Sequence, residues 1–210
     1  MTDHKGSVTR SPMKSPAYGA AWIAVVWTCG FVCTSAAMEV QPEQAQVQLA
    51  LERGKEAAAH RHAPETFYVH FGSGDDLHAG GFLVTKLGAL SVLATHMALR
   101  GLEPSAADIA QVTEAPTMLV SMVILGESPS FAVNSYIVLD QRGTVVKPVT
   151  VRVDGQAGRS SVWPNSPKFR AKVVATFSYA DFDPKAQTTI TVFPATGGEV
   201  HFSLNFAEID

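Results

Sequence analysis

The sequence predicts an α+β chain: a leader helix, then a helical segment, then an antiparallel β-sandwich. Three observations predict it. Residues 18–38 hold no charged side chain. Residues 41–115 are rich in good helix formers and repeat apolar positions at helical spacing. From Thr117 onward the period drops to two, the pattern of strands with one buried face. The resulting parts are 1–37, a signal peptide or membrane anchor; 38–115, the helical segment; and 116–210, the sandwich, which is immunoglobulin-like in architecture only. The Cys–Trp–Cys signature of that family is missing.

The leader comes first. His4, Lys5, Arg10 and Lys14 stand against Asp3 alone, and Glu39, Glu43 and Glu52 follow the uncharged run. The positive-inside rule then puts the N-terminus in the cytoplasm and the rest across the membrane. The run's 21 residues lie between a signal core of roughly 15 and the about 20 that span a bilayer. Small residues place cleavage near Ala36–Met38: Ser35 and Ala37 suit a cut before Met38, Thr34 and Ala36 a cut before Ala37. A retained anchor and a lipid on Cys33 are the alternatives, although Val32 and Thr28 make poor lipobox neighbours for Cys33 and Cys29. Both cysteines lie here, so a cleaved chain has neither thiol nor disulfide and stands on packing alone. The expected location is the periplasm, or an inner-membrane anchor with the C-terminus outside.

In the helical segment, Val47, Leu51 and Ala58 of "PEQAQVQLALERGKEAAAHRH" share one face. "FGSGDDLHAGG" reads as a loop. "FLVTKLGALSVLATHMALR", 82–100, is apolar nearly all round, and Lys86 in its second turn favours a buried helix over a second membrane span. Gly101 ends it. Ser105 with Asp108 three positions on caps a short helix through Val112.

Seven strands follow: 117–125, 131–139, 144–153, 159–163, 169–179, 187–194 and 199–206, separated by "GESPS", "DQRG", "DFDPKA" and "TGG". "RAKVVATFSY" sets Ala171, Val173, Ala175, Phe177 and Tyr179 on one face. "VHFSLNF" sets Val200, Phe202, Leu204 and Phe206 inward and His201 outward. "VVKPVTVRV" reads as one strand with Val145, Lys147, Val149, Val151 and Val153 on a common face, against Val146, Pro148, Thr150 and Arg152. The stretch "WPNSPKFRAKVVATFSYADFDPKAQTTITVFPATGGEV", residues 163–200, resembles the C-terminal region of uncharacterised exported bacterial proteins. The resemblance spans about a fifth of the chain and implies export and a sandwich, with no reaction, ligand or site residue attached.

Composition excludes some classes. Net charge is −3, so no basic excess exists to release counterions from a nucleic-acid backbone, and no nucleic-acid partner is expected. No nucleophile elbow, Walker loop or dinucleotide fingerprint is present. No catalytic residue is assigned and no cofactor is implied. Four of the seven histidines, His60, His62, His70 and His78, fall within residues 60–78, with Asp75 and Asp76 beside the last. Imidazoles and carboxylates together bind zinc, copper or nickel. On a helix, however, His60 and His62 point roughly 200° apart, and solvated histidines at a helix end explain the run as well. "DFDP" at 181–184 suits calcium or, more simply, an Asx turn. His96 and Lys86 read as a core histidine and a snorkelling lysine. The expected function is an exported or membrane-anchored, non-enzymatic binding or structural module of the cell envelope. Its partner would be a protein, a polysaccharide or another envelope component, with the membrane engaged through 18–38 if the leader stays. The alternative is a periplasmic metal-handling protein, or an exported enzyme, built on His60–His78.

Overall fold

The structure, a computed structural model, describes residues 38–73 and 75–209, which belong to one compact unit. The leader, its cleavage positions up to Ala37, Cys29 and Cys33 lie outside the described residues. Among the described residues, three α-helices precede or interrupt two antiparallel sheets.

Helix α1 spans Gln44–Ala59 and buries Val47, Ala50, Leu51, Gly54 and Ala57 along one stripe. Helix α2, Lys86–Ala98, begins at Thr85, whose hydroxyl accepts the Gly88 N–H at 3.0 Å. The two helices approach closely because the residues between them are small. A Cβ on Gly54 would lie 2.3 Å from the Ser91 carbonyl oxygen. Hydroxyls stitch the contact: Ser91 donates to Ala50 O at 2.9 Å, and Thr95 to Gly54 O at 3.0 Å. The chain leaves α2 through Gly101 in the left-handed region (φ 72°). Helix α3, Ala106–Thr113, carries the expected Ser105–Asp108 capping box. No helix among the described residues is long and apolar enough to cross a membrane.

The first sheet runs β1 (Val69–Gly72), β2 (Gly80–Val84), β3 (Thr117–Gly126), β8 (Phe169–Ser178), β6 (Thr150–Val153), with β7 (Gly158–Arg159) also on β8. The second runs β10 (Val200–Asn205), β9 (Gln187–Phe193), β4 (Tyr136–Gln141), β5 (Thr144–Val146). Their inner faces close over Met118, Val120, Met122, Val173, Phe177, Ile137, Leu139, Ile190 and Val192, all fully or almost fully buried. Met38 joins this core and donates its N–H to Phe206 O at 3.0 Å. The face assignments of "RAKVVATFSY" and "VHFSLNF" match the burial, with Phe202 half-buried rather than enclosed.

Several boundaries differ from the sequence reading. The hairpin β1–β2 lies inside the stretch read as helical, because Phe82–Val84 pair with β3 before Thr85 opens the helix. Residues 131–135 form turns, with Phe131 and Ala132 buried, so β4 starts only at Tyr136. The run 144–153 is two strands in different sheets. Pro148 marks the crossing, and the phase slips with it: Val146 is buried while Val145 and Val149 stand exposed. Beyond Arg159 the chain turns rather than extending through 163.

Candidate binding surface

The four histidines do not converge. Helix α1 ends at Ala59, Arg61 turns left-handed (φ 55°), and the exposed rings of His60 and His62 stack at 5.7 Å rather than pointing apart as they would on a helix. His70 sits on β1, its Nε2 3.2 Å from Glu65 O. His78 lies in the 73–79 loop with its Nδ1 2.9 Å from Asp75. The Ser73 hydroxyl, His78 and the Leu77 N–H hold the Asp75 carboxyl well below the usual carboxylate range. Among the described residues, no three His, Cys, Asp or Glu side chains come together in a way that could hold a metal ion.

Lys86 and His96 exchange the roles expected of them. His96 is exposed. Lys86 is only 7% exposed, donates to Thr113 O at the end of α3, and lies 5.1 Å above the Tyr179 ring. It does not snorkel, because α3 lies within its reach and offers a free terminal carbonyl. Burial lowers its pKa and raises that of Tyr179 to about 12. Asp183 of "DFDP" forms a turn: its carboxylate accepts the Lys185 N–H at 2.9 Å, while the buried Gln141 amide is tied to the Asp183 backbone and to Thr188.

One hydrogen-bond chain escaped the sequence reading. Thr191 Oγ1 lies 3.0 Å from His201 Nδ1, and His201 Nε2 lies 3.0 Å from Glu199. Hydroxyl, imidazole and carboxylate in series are the parts of an activated nucleophile. Here Thr191 of β9 is buried, His201 of β10 is exposed, and Glu199 precedes β10. β9 is paired on both sides, so its main-chain donors serve the ladder and none is left to hold an oxyanion. The only signal for this chain was the hairpin register, which sets Thr191 opposite His201.

The outward face of the first sheet is different. Register places Phe82, Ser121, Val174 and Arg152 in one row, and Val84, Leu119, Thr176 and Thr150 in the next. Val123 and Leu125 continue the apolar strip along β3. None of Phe82, Val84, Leu119, Val123, Leu125 and Val174 is buried, and Leu119 is 37% exposed. The Tyr68 ring stacks on Phe82 at 4.5 Å. The buried helical cluster of Val47, Ala50, Leu51, Leu90 and Ala94 contains no strand residue, and along the strip Leu119 is exposed, its apolar neighbours are half-buried and Ser121 between them is buried. Arg170 at its margin pairs with Asp76 at 2.7 Å, whereas Arg152 and Lys172 have no acidic partner among the described residues.

No protein-family model matches the chain, and no curated protein matches it. Among solved structures it is similar to the archaellum periplasmic stator protein FlaG from Sulfolobus acidocaldarius, at 14% identity and a TM-score of 0.30, over 42% of this chain and 86% of that one. It is also similar to the archaellum periplasmic stator complex of FlaF and FlaG from the same organism, at 15% identity and a TM-score of 0.26, over 42% and 77%. Both are archaeal, and neither supports the bacterial resemblance of residues 163–200. Likeness of this degree carries no argument about function.

Proposed function

We propose that the chain is a non-enzymatic structural module of the cell envelope, exported to the outer side of a membrane, that holds a protein partner against the outward face of its β1–β2–β3–β8–β6 sheet. The observation that carries this reading is the apolar strip Phe82–Leu119–Val123–Val174, exposed at Leu119 and half-buried at the other three. A sheet face facing only water normally alternates to polar side chains, and aliphatic residues left there in a contiguous set are the usual mark of an interaction site. The strip is aliphatic around the buried Ser121, and its one aromatic stack, Tyr68 on Phe82, is turned on itself; that chemistry suits a protein surface better than a sugar ring. The leader's charge asymmetry supports the outward location, and cleavage near Ala36–Met38 belongs to the same proposal.

The test is a photo-crosslinking side chain placed at Leu119 in the full chain, in its native host, with Ser203 on the outward face of the other sheet as the control. A discrete protein adduct from Leu119 and none from Ser203 is expected. No adduct from Leu119, or equal labelling from both positions, would overturn the assignment of this face.

A further inference from the structure

β6 pairs with β8 along one side and has no strand on the other among the described residues. The ladder decides what that open side presents. Asp154 donates its N–H to Lys172 O at 3.1 Å, and an antiparallel ladder alternates, so Val151 and Val153 direct their N–H and C=O groups away from β8. Across from them the turn Val133–Ser135 forms the far wall of a groove of about 310 Å³, whose near wall is Val151, Val153 and Asp154. Ser135 is 4% exposed, and its Oγ is buried without a hydrogen-bond partner. An orphaned buried hydroxyl is uncommon enough to need a reason. Ser135 lines the same groove as Val151 and Val153.

We propose that this edge receives an added β-strand from a protein partner, an extended segment carrying an acidic side chain between two aliphatic ones. Each part follows from the groove. The free groups of Val151 and Val153 match an extended backbone and nothing more compact. Side chains opposite those two valines turn inward, where the half-buried Val151 and Val153 already pack against the core, so aliphatic residues fit. The side chain opposite Arg152 turns outward onto a cation with no acidic partner among the described residues, so a carboxylate fits. Charge also disfavours a second copy of this chain. The antiparallel register that uses the same free groups sets Val151 opposite Val153 and therefore Arg152 opposite Arg152, and like charges directly opposite are destabilising.

The inference rests on the protein-binding reading above only in supposing that a partner exists, and it is tested on purified residues 38–210 without one. The probes are two synthetic peptides of alternating valine and threonine, one with a central glutamate and one with a central lysine, at about 1 mM. Amide signals are followed by NMR. The glutamate peptide is expected to shift Val151, Val153 and the Val133–Ser135 turn, and to bind up to about fivefold tighter than the lysine peptide; Arg152→Glu should invert that order. Val151→Pro removes a donor that faces solvent, a strand position that tolerates proline, and should keep the fold and lose the shifts. Should that variant unfold, the inversion by the exposed Arg152→Glu still decides. Absence of shifts at β6, shifts centred elsewhere, or a wild-type dimer that Val151→Pro turns into a monomer would overturn the proposal. A failed peptide test beside a positive Leu119 adduct would remove the edge and leave the sheet face standing.

Discussion

The sandwich and the helical pair are held together in different proportions of bulk and closeness. Between the sheets the core is large side chains: Phe131, Phe177, Phe206 and four or more branched aliphatics, all fully buried. Between α1 and α2 the closest approach is made of Gly54, Ser91, Ala94 and Thr95, with hydroxyls donating across it to main-chain carbonyls, beside a small apolar cluster of Val47, Leu51 and Leu90. The sandwich is stabilised by apolar area removed from water. The helix pair is stabilised by closeness, which lets dispersion and hydrogen bonds act between backbones. Truncation should therefore damage the first and enlargement the second.

The largest effect belongs to the sandwich. Phe177→Ala should lower stability by about 3–5 kcal/mol, through lost burial plus the cavity left behind, read as a shift of the denaturant midpoint. Phe202→Ala, half-buried on β10, should lose clearly less; equal losses would mean that Phe202 is enclosed as fully as Phe177.

Gly54→Ala inverts the logic. Helix propensity alone favours alanine by about 1 kcal/mol, but the new methyl would meet the Ser91 carbonyl at 2.3 Å. Net destabilisation of about 1–3 kcal/mol is expected from overpacking, and a stabilised variant would show that the helices do not touch there. Thr95→Val keeps the shape and removes the hydroxyl that serves Gly54 O and Ser91 O; a loss of about 1 kcal/mol by the same measurement is expected.

Lys86 joins the two regions, and pH exposes it. Burial lowers its pKa from 10.5, so in the window below 10.5 the unfolded chain binds more protons than the folded one, and stability rises with pH. Tyr179, raised from 10.0 to about 12, acts in the other direction: above 10 the folded state keeps a proton that the unfolded chain has lost, and stability falls. Wild-type stability should climb toward pH 10 and turn over above it. Lys86→Met should lose the climb and keep the fall; an unchanged climb would show that Lys86 is not the buried cation. The smallest effect is His201→Ala, an exposed site, at within about 0.5 kcal/mol.

What was legible in the sequence follows the range of the interaction. β8 and β10 could be read because one buried face imposes a period of two, and α3 because Ser105 and Asp108 cap it within one turn. The β1–β2 hairpin was hidden because its partner β3 lies more than thirty residues on, past two helices. The split at Pro148 was hidden because both halves alternate, and only the sheet order shows that they pair with different strands. Lys86 looked like a surface cation because its acceptor, Thr113 O, lies 27 residues away. The candidate site was the least legible. Phe82, Leu119 and Val174 come from three strands, and nothing local tells that their outward side chains form one apolar strip. The open edge of β6 depends on strand order alone. The histidines, adjacent in sequence, drew attention through a proximity that the fold does not keep.

The central claim is that residues 38–210 work on the outer side of a membrane. Both native cysteines lie at positions 29 and 33; with these changed to serine, Val145→Cys places a single thiol on an exposed, outward-facing position of β5. A membrane-impermeant maleimide applied to intact cells, or to cells with only an outer envelope layer opened, should label that thiol as fully as it does after lysis. Labelling that appears only once the cytoplasmic membrane is broken would contradict the account.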